Sequence, residues 1–256
     1  MRKLSLVVVI TLLLYSACTK EVKEEKTSVD LPVFEMKTFR VESKGGCDSV
    51  SASCAFYSVT YPVFSNLPQS TTETLNKKIS EVMQIGDPET TSLPFDSAGV
   101  KFIGDFEKFT SEFPDPSMGW NFEGEVSVDS LSNSLISMVA TTQYYTGGAH
   151  GGYGNYFINI DPATGNILTL DDILKPGYKE ALNQIGETIF NETYLSTDSI
   201  PENTFEFEDG VFKLNNNYGF LKDGIHFFYN IYEIAPYSAG AQEIVIPYDK
   251  ISEWMK

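Results

Sequence analysis

Hydrophobic and polar residues alternate along much of the chain, and the period of that alternation changes with position. Residues 33–41 and 55–64 read as strands; in the second, Phe56, Ser58 and Thr60 face away from Tyr57, Val59 and Tyr61. From Ser70 the period becomes helical. Ser70 and Glu73 have the spacing of a capping box, and Leu75, Ile79, Val82 and Met83 give an apolar face. A turn-rich stretch with Gly86, Pro88 and Pro94 follows. Phe102, Ile103, Phe106, Phe109 and Phe113 then recur at helical spacing until Pro114 and Pro116.

Beyond Trp120 the period returns to two, and residues 122–128, 135–145 and 153–160 read as strands. Residues 161–165 (DPATG) carry turn chemistry and lead into a further strand at 167–170. Asp171 and Asp172 open a short helix, and Tyr178, Leu182, Ile185 and Ile189 mark a longer one. Short strands are expected at 211–214, 219–221, 225–229 and 243–246, with a closing helix over 248–255. The order predicts an α+β fold, an antiparallel sheet with helices packed on it. Residues 31–256 form one unit, with 31–118 as its N-terminal part and 119–256 as its C-terminal part.

The start of the chain breaks this pattern. Arg2 and Lys3 precede a stretch at 4–14 that is apolar apart from Ser5 and Thr11, and Tyr15, Ser16 and Ala17 lead into Cys18. This is the order of a secretory signal peptide over residues 1–17, too short to span a membrane comfortably. Small residues ending at a Cys resemble a bacterial lipobox. That resemblance implies that Cys18 becomes the lipidated first residue, with a plain secreted protein as the alternative. Residues 18–30 are charged and have no apolar period, as in a flexible tether. A Lys followed by acids after the Cys also resembles the export signal of some Bacteroidetes surface lipoproteins. The expected location is the cell envelope, lipid-anchored at the outer membrane, in the periplasm or on the surface.

Charge narrows the choice of partner. The 256 residues carry 18 Lys and Arg against 35 Asp and Glu, a net charge of −17. With the signal removed the balance is −19. A nucleic-acid backbone would be repelled, and no basic stripe is present. The excess is uneven. Residues 31–112 hold seven bases and eleven acids, whereas 113–256 hold six bases and twenty acids, a net −14. Between Lys179 and Lys213 there are eight acids and no base. Arg40 is the only Arg after Arg2, so clustered Arg forks for phosphate are unavailable.

Cys47 and Cys54 remain once Cys18 is assigned to lipid, and in an oxidising compartment a disulfide is expected. A metal pair is the competing assignment, but no second Cys pair or His cluster completes a site. The most informative run is residues 144–153 (YYTGGAHGGY). Gly147, Gly148, Gly151 and Gly152 let backbone approach a ligand or adopt positive φ. Tyr144, Tyr145 and Tyr153 offer flat amphipathic surface. His150 has three readings: a buried hydrogen-bond anchor for the turn, a ligand contact, or a catalytic or metal-binding group. A metal would need more ligands than the other histidine, His226, supplies. No cofactor is expected. A second aromatic run, 229–240, contains Tyr229, Tyr232, Pro236 and Tyr237, with Tyr237 a further ligand candidate.

Several of these residues together resemble a known family. They are Cys47, Cys54-Ala55, Tyr61-Pro62 and Leu75-Asn76; then Tyr144 with Gly147-Gly148-Ala149-His150; then Asn159, Thr164-Gly165 and 168–172 (LTLDD). Tyr232, Ala235-Pro236-Tyr237, Gly240 and Ile246-Pro247-Tyr248 complete the pattern. The set is similar to the pair of uncharacterised domains in the extracellular half of the lysozyme-sensing anti-sigma factor RsiV, found also beside the catalytic domain of the peptidoglycan deacetylase PdaC. It covers about residues 50–250. The sigma-binding segment and membrane helix of the first, and the metal-binding deacetylase domain of the second, have no counterpart here. The resemblance therefore implies a non-catalytic envelope domain that binds a protein or cell-wall ligand. Two partners are expected in turn: a basic protein such as lysozyme, matched to the acidic C-terminal part, or peptidoglycan, stacked on Tyr144, Tyr145, Tyr153 and Tyr237. A hydrolase using His150 is the third reading.

Overall fold

The computed structural model describes residues 31–47, 53–85, 93–114, 119–196 and 204–256. The expected signal peptide, Cys18, the tether, Gly86, Pro88, Pro116 and part of the acidic run lie outside the described residues. Within them no helix is long and apolar enough to cross a membrane. The elements are β1 (Phe34–Glu42), β2 (Ala55–Phe64), α1 (Gln69–Val82), α2 (Phe95–Glu112), β3 (Trp120–Leu131), β4 (Ile136–Tyr145), β5 (Gly152–Ile160), α3 (Leu170–Ile173) and α4 (Tyr178–Phe190). Then follow β6 (Tyr218–Phe220), β7 (Gly224–Tyr229) and β8 (Gln242–Pro247).

The fold is α+β, but built on two sheets: one ordered β1-β2-β3-β4-β5, the other β6-β7-β8. One pairing departs from the antiparallel expectation. β2 and β3 run parallel, from Ala55 opposite Trp120 to Thr60 opposite Glu125. Antiparallel neighbours can be joined by a tight turn, whereas parallel ones need a crossover of a dozen or more residues. α1 and α2 lie between β2 and β3 and supply that crossover. The first sheet continues through residue 119 and takes three of its five strands from beyond it.

The first core lies between this sheet and its two helices. Tyr57, Val59, Phe122, Val126 and Met138 meet Leu75, Ile79 and Met83 of the α1 region. Tyr57 stacks on Phe122 at 4.7 Å and its hydroxyl donates to the Met83 carbonyl. Burial pushes that phenol far above its ordinary range. α2 approaches closely because Gly99 has no side chain: a Cβ there would stand 2.7 Å from Tyr57. Cys47 and Cys54 form a disulfide across the open end of the β1–β2 ladder, with Cα atoms 5.5 Å apart. Arg40 bonds Glu42 at 2.7 Å and covers the Phe56 ring at 4.2 Å.

The second core is denser in aromatic rings. Phe190 at the end of α4 has Tyr194, Phe205, Phe207 and Phe212 around it at 5.0 to 5.5 Å. Beneath lie Phe220, Ile225, Phe227, Ile244 and Ile246. Local expectations are corrected at four places. α1 begins after Pro68 with no side-chain cap, so Ser70 and Glu73 form no capping box. A box forms instead at Thr169, whose backbone N–H and hydroxyl both donate to Asp172 at 2.8 and 2.7 Å, holding that carboxyl below its usual range. Residues 167–170 make a single bridge, Ile160 to Ile167, and 211–214 are extended without a ladder. The closing helix is a 3-10 helix over Tyr248–Trp254.

Asparagine side chains join the two sheets. Asn230 accepts from the Asn155 N–H at 2.8 Å and donates to the Asn155 carbonyl at 3.1 Å. Asn217 accepts from Phe157 N–H and donates to the carbonyls of Asn155 and Phe228. Asn159, buried, accepts from the Ser137 hydroxyl and Phe220 N–H and donates to the Tyr218 carbonyl.

Candidate functional site

The β4–β5 connection is the glycine run singled out above. Gly147 and Gly148 have φ of 91° and 95°, a left-handed pair that L side chains rarely adopt. Gly152 serves a different purpose. A Cβ there would come within 2.5 Å of the Tyr144 ring, so the ring crosses the strand where Gly152 leaves room. Tyr144 therefore turns inward and packs against the first core. Tyr145 donates its hydroxyl to the Gly148 carbonyl at 3.0 Å. These two tyrosines brace the turn.

His150 is exposed, which corrects the expectation of a buried anchor. Its Nδ1 lies 2.9 Å from the Gly151 carbonyl, an acceptor only, so Nδ1 carries the proton. In the neutral ring Nε2 is then free to accept, and the Tyr232 hydroxyl donates to it at 3.2 Å. The imidazole stacks on Tyr237 with centroids 3.8 Å apart and planes 19° apart. Tyr153 meets Tyr237 edge-on at 6.3 Å, and Tyr232 is 5.7 Å from Tyr237.

Tyr232 is the residue that sequence reasoning left out of the candidate set. It is 61% exposed and has a φ of 66°, unusual for a bulky residue. The structure holds it there through its neighbours. Glu233 accepts from Asn230 N–H at 2.8 Å and from Asn215 at 2.7 Å, while the Asn230 amide is fixed to β5. A turn anchored at both ends thus presents Tyr232 over His150. The sequence signals were its place in the second aromatic run, some eighty residues from the first, and its place in the family pattern.

A cavity of about 300 Å³ opens here, lined by Thr142, Tyr144, His150, Tyr153, Tyr156 and Tyr232. Burial raises the Tyr156 phenol, with Tyr144 and Glu233 adding to it. The arrangement offers flat rings, hydroxyls and one imidazole to a ligand. Among the described residues no group of three or more His, Cys, Asp or Glu could hold a metal. His226 is elsewhere, on β7, bonded to Asp223 and Glu243 at 2.8 Å each. Burial disfavours its charged form, but the two carboxylates outweigh that and raise its pKa.

Comparisons with known proteins agree with this architecture. A family model described as deacetylase PdaC matches residues 49–153. A second, described as a protein of unknown function (DUF3298), matches residues 171–249. A solved DUF3298 family member from Bacteroides fragilis shares 24% identity, covering 88% of this chain and 94% of that one, with a TM-score of 0.62. A DUF3298 family protein from Pseudomonas aeruginosa shares 23% identity, covering 88% and 95%, with a TM-score of 0.59. At these identities the likeness is one of fold. No curated protein matches the chain. Together the two matches support a PdaC/DUF3298-type domain of unknown function within the chain.

Proposed function

We propose that the protein is a non-catalytic binding module, held at the cell envelope by a lipid on Cys18, that docks a basic protein of the lysozyme kind. The observation that carries this reading is the group made by exposed His150, exposed Tyr232 on its doubly anchored turn, and half-buried Tyr237 stacked between them and Tyr153. Exposed tyrosines fixed in advance are the usual anchors of protein interfaces, because little side-chain entropy is lost on docking. The net −14 of residues 113–256 steers a basic partner toward that part of the molecule. The resemblance to the extracellular half of a lysozyme sensor points the same way.

Titration with lysozyme at low and high salt tests the reading. Binding is expected at low ionic strength, weakening as salt screens the charge. Tyr237→Ala is expected to lower affinity about thirtyfold, the scale of an interface hot spot. Undetectable affinity at low ionic strength overturns the proposal. For the anchor, Cys18→Ser is expected to move the protein from the membrane to the soluble fraction; an unchanged distribution removes the lipid.

A second reading rests on the parallel His150–Tyr237 stack, a flat face of the kind on which sugar rings sit. Retention on purified peptidoglycan that resists salt and is lost in Tyr237→Ala would favour this reading over a basic protein.

A further inference from the structure

A groove of about 820 Å³ lies apart from the His150 cavity and shares no lining residue with it. It runs between the first two turns of α4 and the extended segment 211–216. Its volume is in the range of pockets that bury most of a small ligand's surface. Leu182, Phe212 and Phe227 form a buried apolar floor, with Leu214 and Tyr218 partly open above them. Asp171, Glu180, Glu208 and Asp209 line it and are exposed. Lys179 and Lys213 also line it, and Lys179 is tied to Asp171 at 3.5 Å.

The far wall is braced along its length. The Asn183 amide on α4 donates to the Phe212 carbonyl at 3.2 Å and accepts from Leu214 N–H at 2.9 Å. The Tyr229 hydroxyl donates to the Lys213 carbonyl at 2.6 Å. Asn215 is bonded to the Phe228 carbonyl and to Glu233. Asn183 therefore ties segment 211–216 to α4, and these bonds fix the two walls of the groove relative to each other.

We propose that this groove binds an extended peptide segment that carries both basic and apolar side chains. The apolar floor takes the apolar side chains, and Glu180, Glu208 and Asp209 take the basic ones, Asp171 being held by Lys179. An acidic peptide is repelled by these carboxylates, and a purely apolar chain gains nothing from them. An extended ligand follows the extended wall. The site is separate from the one proposed above, so a basic protein docked on Tyr237 and a peptide in the groove can be present together.

Fluorescence anisotropy tests this with the full chain and a labelled peptide alternating Lys and Leu. Binding in the micromolar range is expected, weakened by salt. The Glu-Leu peptide is expected not to bind, and the Lys-Ser peptide to bind at least about threefold more weakly. Glu180→Lys, Glu208→Lys and Asp209→Lys together, all at exposed positions, should lower affinity at least about tenfold with an unchanged circular dichroism spectrum. Val211→Ser, at a groove position 65% exposed, should weaken it less. Tyr237→Ala should leave peptide affinity unchanged, which separates this site from the lysozyme surface. Three results each overturn the proposal: no binding at low salt, equal affinity for the Lys-Ser peptide, or full affinity in the folded triple variant.

Discussion

The two sheets hold together by different means. In the first, five strands bond through continuous backbone ladders, and α1 and α2 cover one face. The second has three short strands, and rings and side-chain amides do much of what longer ladders would do. Among the described residues no ladder joins the two. Asn230 instead offers Asn155 an acceptor and a donor, the same pair that a neighbouring strand would offer. A primary amide reproduces the chemistry of a peptide group at the end of a side chain. Sheets can thus be coupled closely while each keeps its own twist.

Asn159→Ala should produce the largest effect. Its amide bonds both sheets, and its loss leaves a buried N–H and carbonyl unsatisfied, costing about 2–4 kcal/mol. Trp120 lies in the first part and Trp254 in the second, so single-Trp variants report each half in urea. The two transitions should coincide in the parent and separate in Asn159→Ala. Coincident transitions with little loss of stability would break the comparison.

Replacing Cys47 and Cys54 with Ser should cost roughly 2–3 kcal/mol, the loop-closure entropy of a short bridge. Faster hydrogen exchange is expected in β1 and β2 but not in β7 and β8; equal acceleration would show that the halves do not respond separately. Gly152→Ala should cost roughly 1–3 kcal/mol by driving Tyr144 off its strand, and it should lower affinity at Tyr237 while leaving the groove unaffected.

The smallest effect concerns pH. The folded-state pKa of His226 is raised above its ordinary value of about 6.5, so its contribution is full below that value. The contribution fades as pH rises through the raised value. Asp223 is lowered, chiefly by its bond to His226, so its share is present above its ordinary range and is lost only in acid. The melting temperature should fall by about 1–2 °C between pH 6 and 8, and His226→Gln should flatten that slope. An identical slope in the variant would show that the clamp does not couple β7 to β8.

Strand and helix periods were legible wherever one face is buried, as in β2, β3 and α4. Pairing was not: nothing in residues 55–60 says that they lie beside 120–125, although two intervening helices are the usual mark of a parallel crossover. The seam was hidden for a related reason. Asn217 and Asn230 give no local signal, because side-chain amides have no period, and Asn159 stands out only in the family pattern. Ser70 and Glu73 have the spacing of a capping box, but the box stands at Thr169, where Asp172 takes the place of the commoner Glu. The glycine run was found, but its meeting with Tyr232 and Tyr237 depends on how the two sheets dock, which no local pattern encodes.

The seam also decides how the protein behaves in company. β1 and β5 end the first sheet, and such strands invite pairing with other molecules. β1 carries Glu35, Lys37, Arg40 and Glu42, charges that discourage a second copy from adding on. β5 has fewer such guards, and the amides of Asn217 and Asn230 occupy its backbone instead. A fragment ending at residue 160 would leave β5 bare, and it should aggregate strand on strand where the full chain stays dispersed.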